Sequence, residues 1–249
     1  MDPIKKFIKD RKDRISSYAQ DRELEDVSQA WRSESIKKGY PYNFSFLGRP
    51  IIQYPQDMVA VQELIWTTQP NLIIETGIAH GGSLIMSAAM LELNAACGGD
   101  PSAEVVGIDI DIRKHNRVEI EKHPMFKRIT MIEGSSIAPD IVDQVKRYAI
   151  GKTSVLVFLD SMHSHDHVLE ELKSYADLVT VGSYCVVFDT IIDDLPAGQY
   201  PDRPWGPGDN PKTAVYEWLR SNQKFEIDKG LESKLKITVC PDGFLKRVL

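Results

Sequence analysis

Cysteine is scarce in this chain, with three residues, Cys97, Cys185 and Cys240, spread over 249 positions. Because no two of them form a C-x-x-C pair, the sequence predicts neither a disulfide framework nor a structural zinc site, and a reducing, cytoplasmic location is expected. The sequence also lacks an apolar run long enough to cross a membrane and the apolar stretch of a signal peptide. The net charge of −6 excludes a general attraction to nucleic acid or to anionic membranes.

The overall composition, with 42% hydrophobic and 27% charged residues, is typical of a globular protein with a sizeable core. Residues 1–56 predict an N-terminal extension, helical over the charged first 38 residues and irregular over the aromatic, Gly- and Pro-rich residues 40–54. This irregular segment is expected to pack against the main domain or to cover a site. Residues 57–249 predict one further domain, with Asp57 capping a helix that runs to residue 67 or 68.

Short apolar runs alternate with helix-compatible segments from residue 71 onward. The runs cover residues 72–75, 105–109, 129–133, 155–160 and 185–189, and the helical segments lie near 84–95, 113–122, 138–149 and 166–175. This alternation predicts an α/β fold with a doubly wound, mostly parallel sheet. Three further runs, at 225–228, 235–239 and 244–248, indicate closing strands, and Pro241-Asp242-Gly243 predicts a hairpin turn for the last pair.

A Gly-rich loop follows the first apolar run. The run ends in Glu75, and the loop contains Gly77, His80, Gly81 and Ser83 before the next helical segment. Its G-x-x-x-G-G spacing differs from the G-x-G-x-x-G that binds a dinucleotide pyrophosphate. A carboxylate at this place would repel a pyrophosphate but suits a cationic or hydroxyl-bearing ligand. The pattern resembles that of class I S-adenosylmethionine (SAM) methyltransferases, and the alternative is an ordinary turn of small residues.

Acidic residues end four of the five runs: Glu75, Asp109, Asp160 and Asp189. Ligands of open α/β sheets bind beyond the carboxyl ends of the strands, so these acids are expected to gather along one edge. Each acid taken alone could instead cap the following helix. Asp109 is the candidate for a ribose diol, with Asp111 as the competing candidate. Ser135 and Ser136, after the third run, are candidates for an adenine edge.

Three histidines, His163, His165 and His167, follow the fourth run. Histidine suits general-base chemistry near neutral pH, and the nearby Asp160 could orient a histidine or hold a hard cation. Zinc binding and a surface helix with incidental histidines are the alternatives. A Gly- and Pro-rich loop at residues 205–214 indicates either a pocket-forming loop or a surface connection.

Several separated motifs occur together in one order: Gln53-Tyr54-Pro55-Gln56-Asp57, Glu75-Thr76-Gly77, His80-Gly81-Gly82-Ser83, Gly107-Ile108-Asp109-Ile110-Asp111, Leu159-Asp160-Ser161, His163, His167, Asp209-Asn210-Pro211 and Pro241-Asp242-Gly243-Phe244-Leu245-Lys246-Arg247. From about residue 40 to the end, the chain resembles the cephalosporin hydroxylase family. Members of that family look like SAM-dependent O-methyltransferases with the seven-stranded class I fold. They include proteins of cephem methoxylation and rhamnosyl O-methyltransferases.

The resemblance implies a SAM-dependent O-methyltransferase that acts on a hydroxyl of a sugar or a glycosylated natural product, with Mg²⁺ beside SAM. It implies Asp160 and Asp189 as metal ligands and His163 as the base. Phe188 stands where the family has a Glu ligand, and Asp193 or Asp194 is the candidate replacement. The cofactor residues expected from the loop and the strand ends are Glu75, Gly77, His80, Gly81, Ser83, Asp109, Asp111, Ser135, Ser136 and Asp160.

Relatives often form oligomers, so a homo-oligomer is expected, with a small-molecule or glycan acceptor as the substrate. Two other functions remain open from the sequence. One is a non-catalytic SAM-binding protein, which the loss of a metal-ligand position at Phe188 would favour. The other is an enzyme that modifies a cephem or another β-lactam, which only the family name suggests.

Overall fold

The computed structural model describes residues 2–249 and begins with two helices, α1 (Pro3–Tyr18) and α2 (Arg22–Lys37). This agrees with the helix predicted for the charged first 38 residues. Asp2 and Asp21 cap these helices by accepting hydrogen bonds from the backbone N–H groups of Ile4 and Leu24. The segment predicted to be irregular contains a 3₁₀ turn and a small hairpin of β1 (Phe44–Phe46) and β2 (Arg49–Ile51).

The main sheet has seven strands: β3 (Leu72–Thr76), β4 (Glu104–Asp109), β5 (Ile129–Glu133), β6 (Val155–Leu159), β7 (Tyr184–Val187), β8 (Phe225–Ile227) and β9 (Phe244–Arg247). Their order is β5-β4-β3-β6-β7-β9-β8, in which β3 to β7 run parallel and β9 is antiparallel to both neighbours. The predicted α/β class with a mostly parallel sheet is confirmed. Since β3 pairs with β4 on one side and β6 on the other, the chain reverses direction of winding there, where ligands bind in such sheets.

Seven helices accompany the sheet: α3 (Pro55–Thr68), α4 (Gly82–Ala96), α5 (Lys114–Glu121), α6 (Pro139–Ala149), α7 (His165–Tyr175), α8 (Pro211–Ser221) and α9 (Lys229–Leu235). One apolar layer packs between the sheet and α3, α4 and α5, and the other packs between the sheet and α6, α7 and α8. Strands β3, β6 and β7 are buried throughout, as expected for a parallel sheet covered on both faces. Among residues 2–249, no helix combines the length and the apolarity that crossing a lipid bilayer requires.

The prediction of a strand at 235–239 is wrong. Helix α9 ends at Leu235, Lys236 has a positive φ of 57°, and residues 236–239 form bends and irregular structure without strand pairing. The apolar alternation arises because Ile237 and Val239 pack onto the core, while β9 already pairs with β7 and β8 on its two edges. The turn before β9 exists, with Gly243 N–H donating to the Cys240 carbonyl at 2.9 Å, but α9 separates the last two strands.

Asp57 is not a helix cap, because α3 begins at Pro55 and the Asp57 carboxylate points elsewhere. It accepts hydrogen bonds from the Thr238 hydroxyl at 2.5 Å and from Val239 N–H at 2.9 Å. The residue is 1% exposed. Burial, opposed by these hydrogen bonds, raises the pKa of Asp57 to about 7. Asp57 therefore fastens α3 to the segment that leads into β9.

Replacing Asp57 with Asn is expected to flatten the dependence of stability on pH. A pKa of about 7 in the folded state, against an ordinary 3.8, means that ionising Asp57 costs the fold about 4 kcal/mol. The stability that this group provides is complete below pH 4 and is lost as pH rises through 7, because the folded state holds the proton more tightly. Asp57→Asn cannot ionise but loses an acceptor worth about 1–2 kcal/mol. It should therefore unfold below the wild-type temperature at pH 4 and above it at pH 8.

Thermal unfolding followed by circular dichroism at both pH values measures this crossing. Asp111→Asn is the matched control, because the Asp111 side chain is 71% exposed and should change stability by less than about 0.5 kcal/mol. An offset between Asp57→Asn and wild type that is the same at pH 4 and pH 8 would contradict the assignment.

Candidate active site

Three cavities meet at the carboxyl ends of the parallel strands. The loop cavity, about 310 Å³, is lined by residues that include Asp109, Ser135, Ser136 and His167. The central cavity, about 210 Å³, lies against the Gly-rich loop and the hairpin, and the outer chamber, about 300 Å³, lies on its other side. Ser161 lines all three. The structure therefore places three adjoining cavities, together called the cleft, where the sequence predicts a ligand site.

The glycines of the loop bring its backbone against other parts of the protein. Gly77 has φ of 89°, and a Cβ there would lie 2.0 Å from the Asp160 carbonyl oxygen. Gly81 has φ of 83°, and a Cβ there would lie 2.4 Å from the Ile120 side chain. The sequence predicts close approach of these two glycines to a cofactor. In the structure, their missing side chains let the loop fit between the end of β6 and α5, which shapes the cleft indirectly.

Asp109 lines the loop cavity and also holds the Gly-rich loop in place. Its Oδ2 accepts hydrogen bonds from Ile78 N–H at 2.8 Å and Ala79 N–H at 3.2 Å, and its Oδ1 accepts one from Asp111 N–H at 3.0 Å. The Asp111 side chain is 71% exposed, lies 3.8 Å from Arg113 and lines none of the three cavities. Of the two competing acids, Asp109 is the one that the fold places in the cleft.

Glu75 is buried at the end of β3, beside a recess that it shares with Ser83 and Asp160. The hydroxyl of Ser83 donates a hydrogen bond to Glu75 Oε1, and that of Ser87 donates to Oε2 at 3.4 Å. Burial is the main cause that raises the pKa of Glu75 to about 8, and the charge of Asp160 adds to it. Two neighbouring carboxyl groups with raised pKa values favour a cationic ligand, because a positive charge would stabilise their ionised forms.

His80 also lines the central cavity, and its backbone carbonyl accepts two hydrogen bonds from Arg49, at 3.0 Å from Nε and 2.6 Å from Nη2. Arg49 lies in β2, so this contact fastens the hairpin to the Gly-rich loop. The hairpin and the residues that follow it supply one wall of the central cavity. Part of the segment 40–54 thus covers a site, one of its two expected roles.

Asp160, His163 and Asp189 form a partly buried cluster between the central cavity and the outer chamber. His163 Nε2 lies 3.7 Å from Asp160 Oδ1 and 3.3 Å from Asp189 Oδ2. One potential ligand atom from each residue lies within 4.8 Å of the others, which makes this the one candidate metal cluster of three or more such residues in the part of the chain described. Asp189 is held in a left-handed conformation with φ of 55°, a strain typical of functional sites.

The cluster perturbs the protonation of its own members. Burial, opposed by the nearby imidazole of His163, raises the pKa of Asp160 to about 7. Burial works to lower the pKa of His163, but the negative charges of Asp189 and Asp160 outweigh it, so this pKa lies above its usual value. Such mutual dependence is typical of groups that exchange a proton or share a cation.

The carboxylate missing at Phe188 is not replaced. The Phe188 ring is buried, with its centroid 6.0 Å from that of Phe158. Asp193 accepts hydrogen bonds from Gly208 N–H and the Asn210 side chain, at 2.9 and 2.7 Å, and Asp194 pairs with Lys212 at 2.7 Å. The suggestion that Asp193 or Asp194 serves as a ligand is therefore wrong. Two carboxylates still fit Mg²⁺, which commonly keeps waters as its remaining ligands.

The side chains of the three histidines lie in three different environments, so they do not form a zinc site together. His163 belongs to the cluster described above. His165 contacts Thr213 at 2.8 Å and Glu217 at 3.2 Å on α8, away from the cleft. His167 lines the loop cavity beside Ser136 and Ser161.

A buried carboxylate that the sequence reasoning missed lies under this cavity. Glu171 is 0% exposed and accepts hydrogen bonds at its Oε1 from the hydroxyls of Ser136 and Ser161, at 2.6 and 2.7 Å. Its other oxygen has no hydrogen-bond partner among residues 2–249. The spacing of four between His167 and Glu171 on one helix was the available signal. Both Ser135 and Ser136, predicted to contact adenine, line the cavity, and Ser136 directs its hydroxyl at Glu171.

Aromatic residues form part of the lining of the outer chamber. Trp205 packs against His163 and Tyr200, with ring centroids 5.2 and 5.0 Å apart, and the Arg203 guanidinium lies 5.9 Å from the Trp205 ring. Burial raises the pKa of Tyr200 to about 12. Tyr42, from the N-terminal extension, lines the same chamber. Trp205 belongs to the loop for which the sequence left a pocket role open, whereas Tyr200 and Arg203 carried no sequence signal.

A family profile described as Rhamnosyl O-methyltransferase/CmcI matches residues 38–248. The rhamnosyl O-methyltransferase of Mycobacterium tuberculosis is 32% identical over 197 residues, which are 77% of this chain and 73% of the relative. That of Mycobacterium leprae is 29% identical over 229 residues, 86% of this chain and 90% of the relative. These matches confirm the family resemblance drawn from the motifs.

Solved structures show the same fold at lower identity. CmcI with Mg and SAM has a TM-score of 0.58 and 18% identity, over 84% of this chain and 78% of its own. The O-methyltransferase TomG from Streptomyces achromogenes, solved with SAM, has a TM-score of 0.53 and 16% identity, over 80% of this chain and 79% of its own. The fold is that of class I SAM methyltransferases, and the chain belongs to the rhamnosyl O-methyltransferase/CmcI family of O-methyltransferases.

Proposed function

We propose that this protein transfers the methyl group of SAM to a hydroxyl of a sugar or of a glycosylated natural product, with Mg²⁺ held by Asp160 and Asp189 and with His163 as the base. The observation that carries the proposal is the position of His163 Nε2. It lies within 4 Å of both carboxylates, where the central cavity meets the outer chamber. The rhamnosyl O-methyltransferases among the relatives support a sugar acceptor.

The cleft offers each part of SAM a chemically matched surface. The loop cavity would take the adenosine, with Asp109 available to the ribose hydroxyls. The central cavity would take the amino acid part and the sulfonium, near the raised-pKa carboxyls of Glu75 and Asp160. Gly77 keeps the loop close to Asp160, so both cavities open onto the same point. A positively charged ligand favours the ionised form of both acids, and the ionised carboxylates in turn attract the sulfonium of SAM.

The residues around the junction can position the acceptor and remove its proton. A bound divalent cation supplies Lewis acidity, which lowers the pKa of a coordinated hydroxyl. Asp160 and Asp189 would hold that cation, and their negative charges stabilise the protonated form of His163. His163 Nε2 would accept the hydroxyl proton as the methyl group leaves sulfur. Tyr200 and Trp205 offer apolar faces and polar edges, which suit a sugar ring in the outer chamber.

Calorimetric titration with SAM, with and without Mg²⁺, and transfer of radiolabelled methyl from SAM to a panel of rhamnosides test the proposal. Binding with Mg²⁺-stimulated transfer to a sugar hydroxyl is the expected result. SAM binding without transfer to any glycan would favour a non-catalytic SAM-binding protein, and transfer to cephem acceptors alone would favour a β-lactam-modifying enzyme. Light scattering on the same sample tests the further proposal of a homo-oligomer.

His163→Ala is expected to lower kcat for methyl transfer by about a hundredfold, the usual contribution of a positioned general base. The dissociation constant of SAM should change by less than about threefold, because the imidazole carries no negative charge that would attract the sulfonium. Added imidazole should restore part of the rate by replacing the missing base. A rate equal to that of wild type, or a loss that appears only in the SAM dissociation constant, would remove His163 from the proposed base role.

A further inference from the structure

The hydrogen bonds around His167 determine which of its ring nitrogens carries a proton. His167 Nε2 lies 3.0 Å from Ser136 Oγ, 3.1 Å from Ser161 Oγ and 3.4 Å from Glu171 Oε1. Each serine hydroxyl has one proton, and both protons are donated to Glu171 Oε1. The serine oxygens are therefore left as acceptors towards the imidazole. Three acceptors around Nε2 require that Nε2 carries its hydrogen.

The same network leaves the second ring nitrogen of His167 for a ligand. Every polar contact of the ring within residues 2–249 uses Nε2, and the residue lines the loop cavity. In a neutral imidazole protonated at Nε2, Nδ1 is a hydrogen-bond acceptor. The cavity thus presents an acceptor to a ligand that brings a donor.

The rest of the loop cavity fits a flat heteroaromatic ring. Ile108, Ile110 and Met162 contribute apolar surface to its lining, and Asp109 contributes a carboxylate. An apolar slot with few polar groups is the usual form of a site for a purine-sized ligand, since the polar groups determine which edges are accepted. The 6-amino group of adenine is a donor, whereas the 6-oxo group of hypoxanthine is an acceptor.

We propose that His167 determines the specificity for adenine in the cofactor, with its Nδ1 accepting a hydrogen bond from the 6-amino group. Glu171 acts through the two serines as a positioning residue that fixes the imidazole tautomer and orientation. The burial of Glu171 with one unpartnered oxygen supports this role, because such a carboxylate costs stability. The inference rests on the proposed use of SAM.

Titration with S-adenosylhomocysteine and with S-inosylhomocysteine, in which oxygen replaces the 6-amino group, tests the proposal. Wild type should bind the adenosine compound at least about tenfold more tightly, because the oxo group would face an acceptor. His167→Phe should reduce this preference to less than about threefold, since it removes both ring nitrogens and keeps a ring. Glu171→Gln should also reduce it by freeing the imidazole. His165→Phe, on the same helix but directed at α8, is the matched control and should retain the preference.

Nitrogen NMR of labelled protein provides a second measurement, in which the His167 ring should show a proton on Nε2 in wild type and a mixture of tautomers in Glu171→Gln. A preference that His167→Phe retains, equal affinities in wild type, or tighter binding of the inosine compound would overturn the inference while leaving SAM use intact. No binding of S-adenosylhomocysteine by wild type would overturn both this inference and the proposed function.

Discussion

Asp160→Asn is expected to lower kcat for methyl transfer by about a thousandfold, which corresponds to about 4 kcal/mol of barrier. The substitution removes one of two carboxylates in the cluster and one of the two negative charges that face His163. An amide has nearly the same shape, and the backbone N–H at this position keeps its hydrogen bond to the Thr76 carbonyl at 3.0 Å. The fold should therefore change little, whereas the SAM dissociation constant should rise, because Asp160 is one of the two acids proposed to attract the cofactor. Radiolabel transfer with saturating SAM and a rhamnoside acceptor measures the loss.

Asp111→Asn is the control for Asp160→Asn, because both acids follow strands at the same edge of the sheet. Asp111 lines none of the three cavities, so its substitution should change kcat by less than about twofold. Excess Mg²⁺ should recover part of the activity of Asp160→Asn if the lost carboxylate is a ligand. Equal losses in both variants would mean that the negative field of the sheet edge, and not this cluster, supports the reaction.

The sequence was sufficient to predict the elements that repeat. Buried parallel strands appear as short apolar runs between helices, so β3 to β7 were recognisable by their length and spacing. The topology then brings the strand ends to one edge, which is why Glu75, Asp109, Asp160 and Asp189 could be expected together. The family resemblance, confirmed by the matching profile, added SAM and O-methyl transfer. The roles of individual cofactor residues and the division into an extension of residues 1–56 and a domain of 57–249 remain predictions.

Contacts between distant parts of the chain were beyond sequence reasoning. In the sequence, Asp57 stands where an N-cap of α3 would be expected. In the structure, its carboxylate oxygens accept hydrogen bonds from Thr238 and Val239, which lie more than 180 positions away. The alternation at 235–239 resembles a strand, yet a strand needs a free edge, and β9 has none. A local sequence pattern indicates the propensity for a helix or a strand. Residues far away in the sequence decide which hydrogen bonds actually form.

The structure also distinguishes the surroundings of acids that the sequence left equivalent. Asp109 and Asp111 differ by two positions and share residue type, but the backbone N–H groups of the Gly-rich loop orient Asp109 into the cleft. Asp193 and Asp194 lie close to Asp189 in sequence, but a 3₁₀ turn (Thr190–Asp194) directs them to Asn210 and Lys212. Phe188 provides no ligand where the family has a Glu. In the proposed mechanism, water or the acceptor would therefore take the place of that missing carboxylate.

Gly77→Ala is expected to abolish SAM binding and to destabilise the fold by about 3 kcal/mol or more. A side chain at φ of 89° is strained, which costs about 1–2 kcal/mol. The added Cβ would also lie 2.0 Å from the Asp160 carbonyl oxygen, which is backbone and cannot rotate away. The Gly-rich loop and the end of β6 must then separate, and this deforms the cleft where the loop and central cavities meet. For a chain of this length, the unfolding temperature should fall by about 6–12 °C.

Gly151→Ala separates the strain of the backbone from the clash. Gly151 has a comparable φ of 77°, but no heavy atom lies within 4 Å of its added Cβ, and it precedes β6 at the opposite end from the cleft. This variant should lose only about 1 kcal/mol and keep the SAM affinity of wild type. Equal destabilisation by the two substitutions, with SAM binding retained in Gly77→Ala, would show that the contact between the loop and Asp160 does not shape the cleft. Loss of binding in Gly77→Ala alone would assign that role to this single close approach.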